Sequence, residues 1–182
     1  ARLLGLGYPG GPAIQAVAAQ ARGTEEPFTR PRLKGSRDFS YSGLKTAVLH
    51  RARKRGVIDG DPESRTSERE SIVREIAAAF QEAVVDSLVD RTIAAADEFG
   101  ARGIIVCGGV AANAALRKEM TSRASLPVLM PRPSLCTDNG AMIAAAAFYS
   151  TEGDRQHAAK LQEWDMDVIP GLAVGASRVR NV

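Results

Sequence analysis

The sequence has few of the residues that mark secreted, membrane-spanning or metalloprotease-type proteins. Aromatic side chains make up 5% of the 182 residues, with 2 cysteines and 2 histidines. Cys107 and Cys136 are too few for a disulfide framework, which favours a reducing, cytoplasmic location. No apolar run reaches the roughly 18 to 20 residues of a membrane span, so no membrane partner is expected. His50 and His157 show no ligand spacing, and the zinc-protease motif His-Glu-x-x-His does not occur.

Acidic residues are almost absent from one stretch of the chain. The net charge is only +3, but the single acid between residues 30 and 55 is Asp38. Such a run is usually solvated surface, and its bias also makes a phosphate backbone a candidate partner. The basic residues of this stretch are Arg30, Arg32, Lys34, Arg37, Lys45, Arg51, Arg53, Lys54 and Arg55.

The first third of the chain predicts two helices and a short strand. A proline near the first turn and a glycine beyond the last apolar position bound a helix over residues 13–21. Alternation of polar and aromatic residues predicts a strand over 38–41. Ser42 is then placed to cap a helix from about 43 to 55.

A long amphipathic helix is predicted next. Ser67 and Glu70 fit a capping box, and the helical pattern extends to near Gly100, a length that leaves room for a kink or break. An apolar residue recurs at every fourth position, which predicts one core-facing stripe. The stripe consists of Ile72, Ile76, Phe80, Val84 and Leu88, widened by Val73 and Ala83.

The following segment predicts a parallel α/β sheet. An apolar strand over 104–107, expected to be buried on both faces, precedes a helix to about residue 122. A second strand is predicted over 128–130, a loop over 131–137 and an Ala-rich helix over 138–149. Strands that alternate with helices in this order indicate parallel strands joined by crossovers.

Glycine and polar residues follow these strands, at the sheet edge where ligands bind in open α/β folds. Gly108 and Gly109 allow a close backbone approach to a ligand, and Asn113 offers both a donor and an acceptor. A tight turn with Asn113 as helix N-cap explains the same residues. Asp138 is either a second N-cap or a carboxylate for a metal or a phosphate-bound ion. The glycines of residues 8–12 form a rigid turn or present amides to a ligand.

Four segments in this order resemble the C-terminal half of the bacterial tRNA threonylcarbamoyladenosine transferases, formerly called O-sialoglycoprotein endopeptidases. The resemblance covers roughly residues 1–150. It implies the C-terminal, nucleotide-binding lobe of the α/β actin/hexokinase/Hsp70-like (ribonuclease H-like) ATPase fold, followed by a strap or tail over 151–182. The segments are Leu-Leu-Gly-Leu with Tyr-Pro-Gly-Gly-Pro (3–12), Asp-Phe-Ser-Tyr-Ser-Gly-Leu-Lys-Thr (38–46), Cys-Gly-Gly-Val-Ala-Ala-Asn (107–113) and Cys-Thr-Asp-Asn-Gly-Ala-Met-Ile-Ala (136–144).

The resemblance implies transfer of a threonylcarbamoyl group from threonylcarbamoyl-AMP to the exocyclic amine of the adenosine next to the tRNA anticodon. It implies substrate contacts at Gly11 and Asn113, and a nucleotide site lined by Gly108 and Gly109. It implies Asp138 as the third ligand of a divalent iron or zinc ion, and no catalytic side chain. The implied partners are tRNA, a paralogous inactive subunit and a small ATPase subunit.

The sequence departs from the family pattern in its metal ligands. The family's other two ligands come from a His-x-x-x-His motif that this sequence lacks. The chain also opens at Ala1, without an initiating Met and two residues before the first motif, so we expect the N-terminal lobe to be absent. We expect the chain alone to be inactive and to bind metal weakly. A non-catalytic paralogue of the same complex, and a small-molecule kinase of the same fold, remain as alternatives.

Overall fold

A computed structural model describes residues 1–23, 26–31, 36, 38–58 and 67–151, with the backbone alone at 150 and 151. Helices predominate, and a small parallel sheet makes the fold a mixed α/β one. The elements are α1 (Gly10–Ala18), α2 (Ser42–Lys54), α3 (Ser67–Glu98), β1 (Ile104–Ile105), α4 (Ala114–Arg123), β2 (Val128–Leu129) and α5 (Gly140–Thr151), with short 3-10 turns at Arg2–Leu4, Gly109–Ala112 and Pro133–Leu135.

The chain divides into two compact units, Ala1–Asp138 and Asn139–Val182. Within the described residues the second unit consists of α5, which forms where an Ala-rich helix is predicted. The strap or tail predicted beyond it lies outside the described residues, apart from the last residue of α5. No helix in the described part of the chain combines the length and the apolarity that a bilayer crossing requires.

Helix α3 is the element on which the first unit is built. It begins at Ser67 as predicted and runs unbroken for 32 residues, about 48 Å at 1.5 Å per residue. Helices α1, α2 and α4 all pack against it. Because neighbours contact it on several sides, its buried residues do not form the single stripe that the sequence predicts. Phe80, Val84 and Leu88 are only half-buried, while Ala77 and Ala79 are fully buried.

Two hydrophobic clusters follow one another along α3. The first joins the N-terminal half of α3 to α1 and α2, with Leu4, Ile14, Val48 and Ile76 among its buried residues. The second joins the C-terminal half to β1 and α4, and is smaller. The core of the first unit is therefore elongated along one helix.

Strands β1 and β2 pair in parallel, with Ile104 opposite Val128 and Ile105 opposite Leu129, and α4 connects them. The predicted parallel sheet with a helical crossover is confirmed. The prediction that β1 is buried on both faces is wrong, because Ile104 is buried whereas Ile105 is 74% exposed. Within the described residues one face packs on the second cluster and the other face is open.

Predictions for the first third of the chain need three corrections. Helix α1 begins at Gly10, earlier than predicted. No strand forms over 38–41; instead the rings of Phe39 and Tyr41 stack 6.1 Å apart, and the carbonyl of Asp38 accepts a hydrogen bond from Arg91 rather than from a strand. Ser42 is the first residue of α2, whose N-cap position holds Tyr41 without a side-chain cap.

Candidate functional site

A cleft of about 360 Å³ opens where α1, the middle of α3 and the start of α4 meet. Gly10 and Gly11 of α1 and Asn113, directly before α4, all line it. Apolar side chains of α3, with Val110, form most of the remaining wall. The volume lies in the range of small-molecule sites, which combine apolar walls with a few polar groups.

Asn113 is held in place by both atoms of its carboxamide. Its Oδ1 accepts a hydrogen bond from the Leu116 amide at 3.0 Å, and its Nδ2 donates to Gln81 Oε1 at 2.9 Å. The next amide, that of Ala114, donates to Gln15 Oε1 at 2.7 Å. Asn113 is therefore the N-cap of α4, as one of the two sequence interpretations predicts. The same bonds fix its side chain at the wall of the cleft.

The bend after β1 has the backbone geometry that its glycines suggest. Gly108 adopts φ 83°, a conformation that side-chain-bearing residues rarely adopt. A Cβ built on Gly109 or on Gly11 would meet nothing within 4 Å. These backbone positions are thus open to a neighbouring group. Gly108 and Gly109 do not line the cleft themselves; Val110 connects their turn to it.

A model of the tRNA N6-adenosine threonylcarbamoyltransferase family matches residues 1–145, most of the chain. The chain belongs to this family. A transferase of this name from Symbiobacterium thermophilum is 42% identical over 180 residues, covering 96% of the chain and 48% of the relative. That of Thermomicrobium roseum is 49% identical over 159 residues, covering 82% of the chain and 44% of the relative.

A third relative, from Dehalococcoides mccartyi, is 44% identical over 174 residues, covering 96% of the chain and 48% of the relative. The chain therefore spans about half the length of the curated transferases that it matches. The family predicted from the four motifs is confirmed.

The structure brings together some of the residues that the family resemblance singles out. Gly11 and Asn113, about one hundred positions apart, line one cleft. The turn Gly109–Ala112 contacts the turn Pro133–Leu135, which ends three residues before Asp138. The loops that follow β1 and β2 therefore meet, as expected for parallel strands whose carboxyl ends share one sheet edge.

Asp138 is exposed, and its proposed capping role is wrong. The amide of Met142 in the first turn of α5 donates to Asn139 Oδ1 at 3.2 Å, so the cap comes from the next residue. The described residues contain no group of three or more His, Cys, Asp or Glu side chains that could hold a metal ion. One carboxylate does not make an iron or zinc site, so the residues present do not fit the metal by themselves.

Sequence reasoning missed the α3 side of the cleft. Phe80, Gln81, Val84 and Leu88 all line it, although the apolar members were assigned to the core stripe. Apolar residues at about every fourth position predict a core face and a cleft wall equally well, because both need apolar residues on one side of a helix. A glutamine beside the stripe was the available signal, since Gln81 supplies the hydrogen-bond partner of Asn113.

Ion pairs hold the loop before α2 against α3. Arg30 contacts Asp86 at 2.8 Å and Asp90 at 2.7 Å, and Arg123 of α4 pairs with the same two carboxylates. The Ser87 hydroxyl donates to the carbonyl of Pro31 at 3.1 Å. Part of the predicted basic surface is therefore neutralised within the protein rather than left to a partner.

Burial is the main influence on the pKa of Tyr41, which lies at the end of the same loop. Loss of hydration raises the pKa of Tyr41, because the phenolate is the form that burial disfavours. Ser87 and the positive charge of Arg91 oppose that shift in part. Tyr41 is therefore a neutral packing residue of the first cluster at ordinary pH.

Proposed function

We propose that the chain is the C-terminal, nucleotide-binding lobe of a cytoplasmic tRNA threonylcarbamoyltransferase with the actin/hexokinase/Hsp70-like ATPase fold. In the proposed reaction the exocyclic amine of the adenosine next to the tRNA anticodon attacks the carbonyl carbon of threonylcarbamoyl-AMP. The new N–C bond forms as the bond between the carbonyl carbon and the phosphate oxygen breaks; AMP leaves with that electron pair, and the amine loses one proton to water. The observation that carries the proposal is family membership over residues 1–145, together with the cleft that joins Gly11 to Asn113.

The chemistry of the cleft suits the adenylate end of such a donor. Its walls are mainly apolar, as in most small-molecule sites. At Gly11 no side chain blocks the backbone. Asn113 is fixed by two hydrogen bonds, so it can meet a substrate without first losing rotamer freedom. Catalysis then rests on positioning rather than on a nucleophilic side chain.

Asp138 is the residue of this chain that is proposed as a metal ligand. We propose that its carboxylate is one ligand of an iron or zinc ion, which would act as a Lewis acid on the acyl-adenylate when bound. The described residues provide no complete donor set, so the other ligands must come from outside them. By family membership we further propose tRNA, a paralogous inactive subunit and a small ATPase subunit as partners. Free thiols at Cys107 and Cys136 are in keeping with the cytoplasm.

A chimera tests the proposed function directly. Residues 1–182 replace the matching half of the Symbiobacterium thermophilum transferase, and the chimera is supplied with the two proposed partner subunits, threonylcarbamoyl-AMP and tRNA. We expect threonylcarbamoyladenosine in the nucleosides of digested tRNA, measured by mass spectrometry. A folded chimera that binds the donor but leaves every adenosine unmodified contradicts the proposal. Such a result would instead favour the non-catalytic paralogue.

Two substitutions of Asn113 separate its structural and substrate roles in that chimera. Asn113→Asp keeps the oxygen that caps α4 but loses the amide donor, so folding should survive while activity falls about tenfold or more. Asn113→Ala loses both the capping oxygen and the amide donor, so besides losing activity it should lower the free energy of unfolding by about 1 to 2 kcal/mol. Wild-type activity in Asn113→Asp would exclude the amide donor from substrate binding. Thermal unfolding of each variant supplies the control.

A further inference from the structure

Helix α2 presents a solvent face without acidic residues. Its buried positions, Leu44, Val48 and Ala52, recur every fourth residue and pack in the first cluster. At about 100° per residue the exposed positions spread over about half of the helix circumference, with Lys45 at one edge and Lys54 at the other. They include Lys45, Thr46, His50, Arg53 and Lys54.

The basic residues of α2 and its C-terminal end fall into two classes. Arg51 and Arg55 are used within the protein: Arg51 covers the Phe28 ring at 3.6 Å and pairs with Glu26, and Arg55 pairs with Glu75 at 3.3 Å. Among the described residues, no ion pair joins Lys45, Arg53 or Lys54 to an acid, and all three are exposed.

The helix dipole explains the positions of only some of these three unpaired cations. Arg53 and Lys54 lie in the last turn of α2, where cations complement the helix dipole. Lys45 lies in the first turn, where a cation is unfavourable for the same reason. Eight residues separate Lys45 from Arg53, which is about 12 Å along the helix. The positive charge therefore extends over the whole helix rather than only its C-terminal end.

We infer that the exposed face of α2 (Lys45, Arg53 and Lys54) is a docking surface for the sugar-phosphate backbone of tRNA. The inference rests on the proposed function, which supplies the RNA substrate. A nucleic-acid strand places one phosphate about every 3.4 Å along its axis, so about 12 Å of helix can contact several of them. Between the cations, the Thr46 hydroxyl and the His50 imidazole add hydrogen-bonding groups and no negative charge. This contact would position tRNA without reading its sequence.

Binding of tRNA to the full 182-residue chain tests the surface. Affinity for labelled tRNA is measured by fluorescence anisotropy at several salt concentrations. We expect Arg53→Gln with Lys54→Gln to weaken binding about tenfold at low salt and to reduce the slope of log K against log salt by about 1.4, since each single-strand phosphate contact contributes about 0.7. Arg102→Gln with Lys118→Gln removes two exposed cations elsewhere and should change both quantities little.

Several outcomes would overturn the inference. They are absence of tRNA binding by the chain, an unchanged slope in the α2 variant, and an equal loss in the control variant. Loss of binding to phosphatidylserine vesicles with tRNA affinity unchanged would assign the face to a lipid surface instead. Circular dichroism of both variants checks that α2 remains folded.

The chimera separates failure of this inference from failure of the proposed function. There, Arg53→Gln with Lys54→Gln should raise KM for tRNA several-fold and leave kcat unchanged. Modification of tRNA with an unchanged KM would reject the docking surface and retain the transferase. Salt-sensitive tRNA binding through α2 in a chimera that makes no modified adenosine would reject the transferase and retain the surface.

Discussion

The two halves of α3 are packed to different degrees. Among the residues that the structure describes, α1 and α2 enclose a cluster of 14 buried residues around its N-terminal half. Around its C-terminal half, α4 and the two-stranded sheet enclose only 6 of the described residues, and Ile105 is left exposed on the far face of the sheet. Local helices are enough to close the first cluster. A two-residue strand pair covers too little area to close the second on both faces.

The largest expected effect compares an isoleucine in each environment. Ile76→Ala removes a side chain that is 2% exposed, and should lower the free energy of unfolding by about 3 to 4 kcal/mol. Ile105→Ala removes the same atoms from an exposed position and should change it by about 0.5 kcal/mol or less. Urea unfolding of both variants measures the difference. Equal losses would mean that the far sheet face is covered in solution.

A second, smaller effect concerns the ion pairs that join the two regions. Arg123 of α4 and Arg30 of the loop before α2 both bind Asp86 and Asp90. Arg123→Gln should cost about 1 kcal/mol at low salt and less at high salt, because screening weakens partly exposed pairs.

The matched control for that network is a local pair on the same helix. Arg74→Gln breaks only the i,i+4 pair with Glu70, at 2.8 Å, and should cost about 0.3 to 0.5 kcal/mol. Thermal unfolding at two salt concentrations compares the variants. If both lose the same stability, the four-residue network does not couple α4 to the loop.

The smallest effect is a pH dependence in the first region. Burial raises the pKa of Tyr41 in the folded chain, so above the usual tyrosine value near 10 the unfolded chain loses a proton that the folded chain retains. The contribution of this group is present below that value and is lost as pH rises through the folded pKa. Tyr41→Phe should therefore reduce the alkaline loss of stability. Unfolding curves from pH 8 to about 11 measure it.

Much of the fold follows from local sequence signals. Periodicity and flanking residues predict α1, α2, α3, α4 and α5 to within a few residues, because helices depend on contacts close in sequence. The strand predicted over 38–41 fails for the opposite reason. A strand needs a partner strand, and within the described residues the side chain of Arg91 instead binds the carbonyls of Ser36 and Asp38.

For the candidate site, the sequence by itself determined the family, and it predicted a glycine turn with Asn113 as N-cap as one of two interpretations, since each depends on a short motif. Only the tertiary structure decided that Gly11 and Asn113 face one cleft and that Gln81 fixes Asn113 there. It also decided that Phe80, Val84 and Leu88, which pack against the two clusters, form a wall of that cleft as well. The physical reason is that helical periodicity specifies which side of α3 is apolar, while the packing of α1 and α4 specifies what that side meets.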